Sequence, residues 1–139
     1  MSVSQISVFM ENRPGHMVRV LDLFKDAGVN VRGYCASDTG DYGIVRFVVD
    51  EPERALLALE GSGAAAKRTE VLCVKLGDEP GELARVFSVI SACDINVNYS
   101  YSLISTYIAL CVDDIVRAEA LLRDQPVEFV DQQKLRETL

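Results

Sequence analysis

Asn12-Arg13-Pro14-Gly15 and Asp78-Glu79-Pro80-Gly81 carry one pattern: a side-chain acceptor, then Pro-Gly, between a strand-like apolar run and an amphipathic helical run. Each loop therefore sits at a helix N-terminus, where the first backbone N–H groups have no partner within the helix. The peptide dipoles make that end partly positive, so an anion or a carboxylate suits it. The two loops lie at an offset of 66 (Pro14 to Pro80), and at the same offset Val29-Asn30-Val31 falls on Ile95-Asn96-Val97. Further on, Asp50 matches Asp113 and Arg54-Ala55 matches Arg117-Ala118 at an offset of 63. The chain is thus one module written twice, the second copy three residues shorter in its hairpin. The repeat is expected to divide at 1–69 and 70–139, with each copy small enough to need the other.

Working outward from the first loop, Ile6, Val8 and Met10 alternate as a strand does. Pro14 suits a first helical turn, Met17, Val20, Leu21 and Phe24 recur at helix spacing, and Gly28 ends the run. Residues 29–36 read as a second strand with Val29, Val31, Gly33 and Cys35 on one face, and 44–49 as a third, with Asp38-Thr39-Gly40-Asp41 as the turn. Asp50-Glu51-Pro52-Glu53 opens a second helix expected to stop at Gly61. Residues 64–69 have weak strand propensity and run without a break into 71–76, so one strand can serve both copies. The second copy repeats the order, and 131–139 suits a short terminal helix.

The sum is an α+β fold: two tandem ferredoxin-like βαββαβ modules, each with two helices on one face of an antiparallel sheet. The opposite face of each sheet is also largely apolar, through Ile44 and Val48, with Arg46 between them, in one copy and Tyr99, Tyr101 and Leu103 in the other. A face of that kind is expected to pack on a second subunit, giving a homodimer or higher oligomer.

Composition narrows the function. Of 139 residues 49% are apolar, enough for a compact core, and the net charge of −7 disfavours nucleic acid and anionic membrane as partners. No apolar run approaches a bilayer's thickness and no basic, then apolar leader opens the chain, so a cytoplasmic protein is expected. Cys35, Cys73, Cys93 and Cys111 are too scattered for a zinc site or disulfide framework, and no cofactor is indicated. With one histidine, no nucleophile elbow and no phosphate-cradling glycine loop, the residues point away from an enzyme. An acylphosphatase reading would place Arg13 in a glycine-rich loop, which is missing. An RNA-binding reading would flank its strand aromatics with basic residues.

The strand, the Asn/Asp-x-Pro-Gly loop, the amphipathic helix and the following Ile/Val-Asn-Val, repeated at fixed spacing, resemble the ACT domain, a small amino-acid-binding regulatory module. The resemblance covers nearly the whole chain, as in stand-alone tandem ACT proteins without an enzyme domain. Glu11-Asn12-Arg13-Pro14-Gly15 is similar to the serine-binding loop of the regulatory domain of phosphoglycerate dehydrogenase, which implies Asn12 as a ligand contact. The resemblance further implies a ligand held between the domains, where the loop of one meets the second strand of the other. The implied set is Asn12, Arg13, Pro14, Gly15, His16 and Val97 at one site, and Asp78, Glu79, Pro80, Gly81 and Val31 at the other. A free amino acid or related small acid is the expected ligand, with a metabolic enzyme as candidate partner and the Asn12 side favoured over the acidic Asp78 side.

The same residues have plainer readings. Asn12 and Asp78 suit N-caps worth about 1 kcal/mol, and His16 suits an exposed surface position. Asn30 and Asn96 suit local backbone pairing, and Asp113-Asp114 suits a helix start rather than a metal pair. A structural module that assembles through its sheets without any ligand is the alternative function.

Overall fold

A computed structural model describes every residue except 12, 39, 41, 104, 105, 138 and 139. The elements run β1 (Val3–Glu11), α1 (His16–Asp26), β2 (Val31–Asp38), β3 (Tyr42–Val49), α2 (Pro52–Ser62), β4 (Ala65–Lys75), α3 (Glu82–Ala92), β5 (Val97–Ser102), β6 (Tyr107–Val112), α4 (Ile115–Arg123), β7 (Glu128–Val130) and α5 (Gln132–Glu137). The strand order is β2-β3-β1-β4-β6-β5, with β7 also on β4, and every pairing is antiparallel. The chain is therefore two βαββαβ modules, as the repeat predicts.

β4 belongs to both. Its first part pairs with β1, from Phe9 opposite Ala65 to Val3 opposite Val71, and closes the first module as a fourth strand. Its last part opens the second module, pairing with β6 from Leu72 opposite Leu110 and with β7 from Cys73 opposite Val130. The weak strand propensity of Ala64-Ala65-Ala66 is overridden by this pairing.

Each module has a helix-side core. In the first, Ile6, Val8, Val45, Phe47 and Val49 meet Val20 and Phe24 of α1 and Ala55 and Leu59 of α2. The Phe24 and Phe47 rings meet edge to face at 5.1 Å. In the second, Leu72, Val74, Ile108 and Leu110 meet Val86, Ile90, Ala118 and Leu122. Ala55 and Leu59 fall on Ala118 and Leu122 at the predicted offset of 63, and all four are fully buried.

A third core corrects the argument for a second subunit. Val3, Val48, Val71, Cys73, Leu103, Ala109, Cys111, Val130 and Leu135 form one cluster, with Tyr99, Tyr101 and Tyr107 against it. These are the faces opposite the helices, and the two sheets cover each other within one chain by curling through β4. Burial on both sides is why β1 has six consecutive buried residues, Val3 to Val8, instead of an alternating pattern.

Two local devices departed from the periodic reading. The β2 register shifts between Val31 and Gly33, and β5 shifts between Val97 and Tyr99, again at the offset of 66. One extra residue turns the strand over. Val31 and Val97 thus pack toward the helices, while Gly33 and Tyr99 face the other sheet, contrary to the expectation that Val31 and Gly33 share a face. At Gly33 a Cβ would lie 2.2 Å from Leu103 Cδ2 and 3.2 Å from its Cα, so only glycine lets β2 approach β5 this closely. In addition, α2 runs past Gly61 to Ser62 and is capped by Gly63.

α5 lies across one end of the inter-sheet core. Its Gln132 donates to Val49 O at 2.9 Å and accepts from the Ser4 N–H at 3.2 Å. Arg136 donates to Asp50 O at 3.3 Å, Arg32 donates to Leu135 O at 3.0 Å, and Leu135 itself is fully buried.

Candidate functional site

Both loops end in a left-handed glycine. Gly15 (φ 89°) is the N-cap of α1 and Gly81 (φ 90°) that of α3, and among the described residues neither helix has a side-chain cap. A non-glycine residue is disfavoured in that conformation, which explains the Gly at both places. Pro14 and Pro80 consequently precede the caps instead of occupying the first helical turn, a correction to the sequence reading. Asp78 likewise does not cap α3. Asn12 lies outside the described residues.

Arg13 and His16 line a groove of ≈ 320 Å³ with Met10, Glu11, Met17, Tyr34, Ala36, Ser37, Asp38 and Val45. Its floor, Met10, Met17 and Val45, is continuous with the helix-side core. Its rim is polar, with Arg13 in an ion pair with Glu11. Asp78 and Glu79 line the counterpart, ≈ 240 Å³, with Leu76, Gly77, Glu82, Leu83, Ser102, Thr106, Tyr107 and Ile108. At the repeat offsets Leu76, Leu83 and Ile108 replace Met10, Met17 and Val45, so the apolar floor is kept. The rim is inverted, because Glu79 and Glu82 stand where Arg13 and His16 do. A hydrogen bond from Arg85 holds the Glu82 carboxyl below its ordinary range against some desolvation.

The second strand that each groove meets is that of its own copy: Tyr34 to Asp38 in the first and Ser102 in the second. A third cavity, ≈ 330 Å³, is walled by both copies through Val31, Arg32, Gly33, Tyr34, Ser102 and Leu103. It shares Tyr34 with the first groove and Ser102 with the second. Val31 thus lines the inter-copy cavity, whereas Val97 packs against the second helix-side core. His16 is half-buried rather than exposed and lines two cavities.

The remaining candidates bond locally, Asn30 and Asn96 through their backbone and the Asn96 side chain to Asn98 Oδ1 at 2.9 Å. The N–H of Asn30 donates to Asp50 Oδ1 at 2.8 Å and that of Asn96 to Asp113 Oδ1 at 3.2 Å, tying each second strand to the start of the next helix. Asp114 caps α4 by accepting from the Arg117 N–H at 3.2 Å. The cysteines are free, and burial pushes the Cys73 thiol up to about 12, which leaves it no reactive thiolate at neutral pH. Among the described residues no group of His, Cys, Asp and Glu is arranged to hold a metal ion, and no helix is long and apolar enough to cross a membrane.

The family model of the ACT domain pair matches residues 1–139. The chain belongs to that family. Among solved structures, this ACT pair is similar to protein BT0572 from Bacteroides thetaiotaomicron, at 25% identity and TM-score 0.93, covering 99% of this chain and 98% of that one. It is also similar in fold to the regulatory subunits of aspartate kinase from Thermus thermophilus (22% identity, TM-score 0.65, 86% and 87% covered) and Thermus flavus (20%, 0.64, 86% and 88%). Among curated proteins none matches at a significant level. No catalytic family is indicated by these matches.

Tyr34 and Ser102, which join the grooves to the cavity between the copies, are residues that the sequence reading missed. The signal lay in the alternation, since Tyr34, Ala36 and Asp38 share a face once the bulge is counted. Arg19 was missed as well, although the repeat sets it on Arg85.

Proposed function

We propose that this ACT pair is a non-catalytic, cytoplasmic regulatory protein that binds a free amino acid or related small acid beside its first loop. In this reading the ACT-like units are 1–69 and 70–139, and the site lies in the first, next to the cavity that both units wall. The observation that carries the reading is the first groove, which combines an apolar floor, mixed charge at the rim and a shared wall with the inter-copy cavity. A zwitterion needs donors for its carboxylate and acceptors for its ammonium. Arg13, His16 and the N–H groups at the start of α1 supply the first, with Glu11 and the Asn12 amide oxygen as acceptors. Its side chain would lie over Met10 and Met17, whose flexible thioethers adapt to shape. In the second groove Asp78, Glu79 and Glu82 repel a ligand carboxylate.

A thermal-shift screen of the twenty amino acids tests this. At least one is expected to raise the melting temperature at millimolar concentration, and Arg13→Ala or Asn12→Ala is expected to remove the effect. No shift with any of them would remove the amino-acid reading. The regulated partner is a metabolic enzyme in this proposal.

The structural alternative drew its support from open sheet faces, and these are covered within the chain. What remains for assembly is the edges, since β2 and β5 end the strand order and lie side by side. A homodimer through these edges is expected, and sedimentation at micromolar concentration showing monomer alone would rule it out.

A further inference from the structure

A second cavity on the first copy, ≈ 300 Å³, lies between α1 and the turn from α2 to β4. Apolar walls come from Val20, Leu23, Ala64 and Ala65, with His16 and Arg19 at its polar side. The repeat shows how the same positions are paired in the second copy. In the second copy Arg85, at the position of Arg19, donates to Glu82 Oε2 at 2.7 Å and to Pro126 O at 3.4 Å. Glu82 stands where His16 does, and Pro126 where Gly63 does, as fixed by Phe9 opposite Ala65 in one copy and Lys75 opposite Glu128 in the other. The guanidinium thus reaches from the second copy's helix to the turn through Pro126 O, while its charge is met by an acid of the same helix. The first copy keeps the arginine and lacks the acid. Arg19 is exposed and, among the described residues, makes no ion pair and no side-chain hydrogen bond. Glu11, the one carboxylate among the described residues that lines this cavity, is engaged by Arg13.

We propose that this cavity binds a small monocarboxylate with a short apolar tail, its carboxylate taking the place beside Arg19 that Glu82 takes beside Arg85. The guanidinium offers a fork of donors matched to a carboxylate, His16 adds a ring N–H, and the tail lies along Val20, Leu23 and Ala64. The cavity shares Met10, Glu11 and His16 with the loop groove but neither Arg13 nor Tyr34, and its argument from Arg19 does not rest on the amino-acid reading.

The test is an NMR titration of the full chain with isovalerate, with isoamyl alcohol and inorganic phosphate as comparisons. Isovalerate at millimolar concentration is expected to move the amide signals of Arg19, Gly63 and Ala64, phosphate to do so more weakly, and the alcohol not at all. Arg19→Gln is expected to weaken isovalerate binding about tenfold or more by removing a charged hydrogen bond. His16→Glu, which supplies the acid found in the second copy, is expected to do the same by pairing with Arg19 from within. Both positions border solvent, and unchanged spectra elsewhere verify that the variants fold. Full affinity retained in either variant, phosphate binding as tightly as isovalerate, shifts centred on Tyr34 to Asp38, or no binding would each overturn the proposal.

Discussion

Leu135→Ala is expected to lower the unfolding free energy by about 2–5 kcal/mol, measured as a fall in the urea midpoint at constant slope. Leu135 is fully buried and belongs to the cluster between the sheets. The cost exceeds the transfer of one side chain, because α5 has only six residues and is not stable alone. It is held by that leucine and by the bonds of Gln132 and Arg136 to Val49, Ser4 and Asp50, which order only while the helix is docked. Leu57→Ala, on an exposed leucine of α2, is expected to change stability by no more than about 0.5 kcal/mol and serves as the control. Equal effects of the two substitutions would mean that α5 is not part of the folded core.

Gln5→Leu is expected to cost about 2–4 kcal/mol for the opposite reason, a polar group lost from the same core. Gln5 is fully buried on the face of β1 that meets the second sheet. Its amide donates to the Tyr99 hydroxyl oxygen at 2.7 Å and accepts from the Tyr101 hydroxyl at 2.7 Å. Burial raises the Tyr101 phenol well above its ordinary pKa, so it remains the donor throughout the neutral range. Leucine fills the space and leaves both hydroxyls without this partner. Adding Tyr99→Phe and Tyr101→Phe to Gln5→Leu is expected to recover most of the loss, since removing an amide together with its two hydroxyl partners costs less than removing the amide alone. The recovery is limited by Ser7, whose hydroxyl oxygen accepts from the Gln5 amide at 3.3 Å and loses that donor, whereas Arg46, with its guanidinium carbon 3.9 Å from the Tyr99 ring centroid, is attracted by either ring. A triple variant no more stable than Gln5→Leu would show that the hydroxyls are satisfied by other means.

These two residues also mark how far the sequence could be read. The repeat at 66 and 63 residues located every helix and strand to within a few positions, because Ala55 and Leu59, or Val20 and Phe24, declare a helix face by spacing alone. Alternation in Val45, Phe47 and Val49 against Val48 correctly announced two buried faces on β3. It could not name what buries the second one, since an apolar face looks the same whether another chain or the other half of this one covers it. The bulges at Arg32 and Asn98 were invisible for a related reason: one inserted residue reverses the facing of all that follows and leaves composition unchanged. At the loops, the Asn or Asp was read as the cap and the proline as the first turn, whereas the left-handed Gly15 and Gly81 move each helix start past the proline. The grooves were half legible. Arg13, His16, Asp78 and Glu79 do line them, but their walls come from strands brought in by the bulged pairing.

The eleven residues of β4 are read twice, once as a last strand and once as a first. Deleting one residue between Thr69 and Val71 would leave each half with its own local pattern intact. It would nevertheless turn the inward set of one sheet outward relative to the other, because side chains alternate along a strand. The duplication has in this sense ceased to be divisible. Its two halves keep a common reading frame, and the length of one strand is set by the requirements of two cores at once.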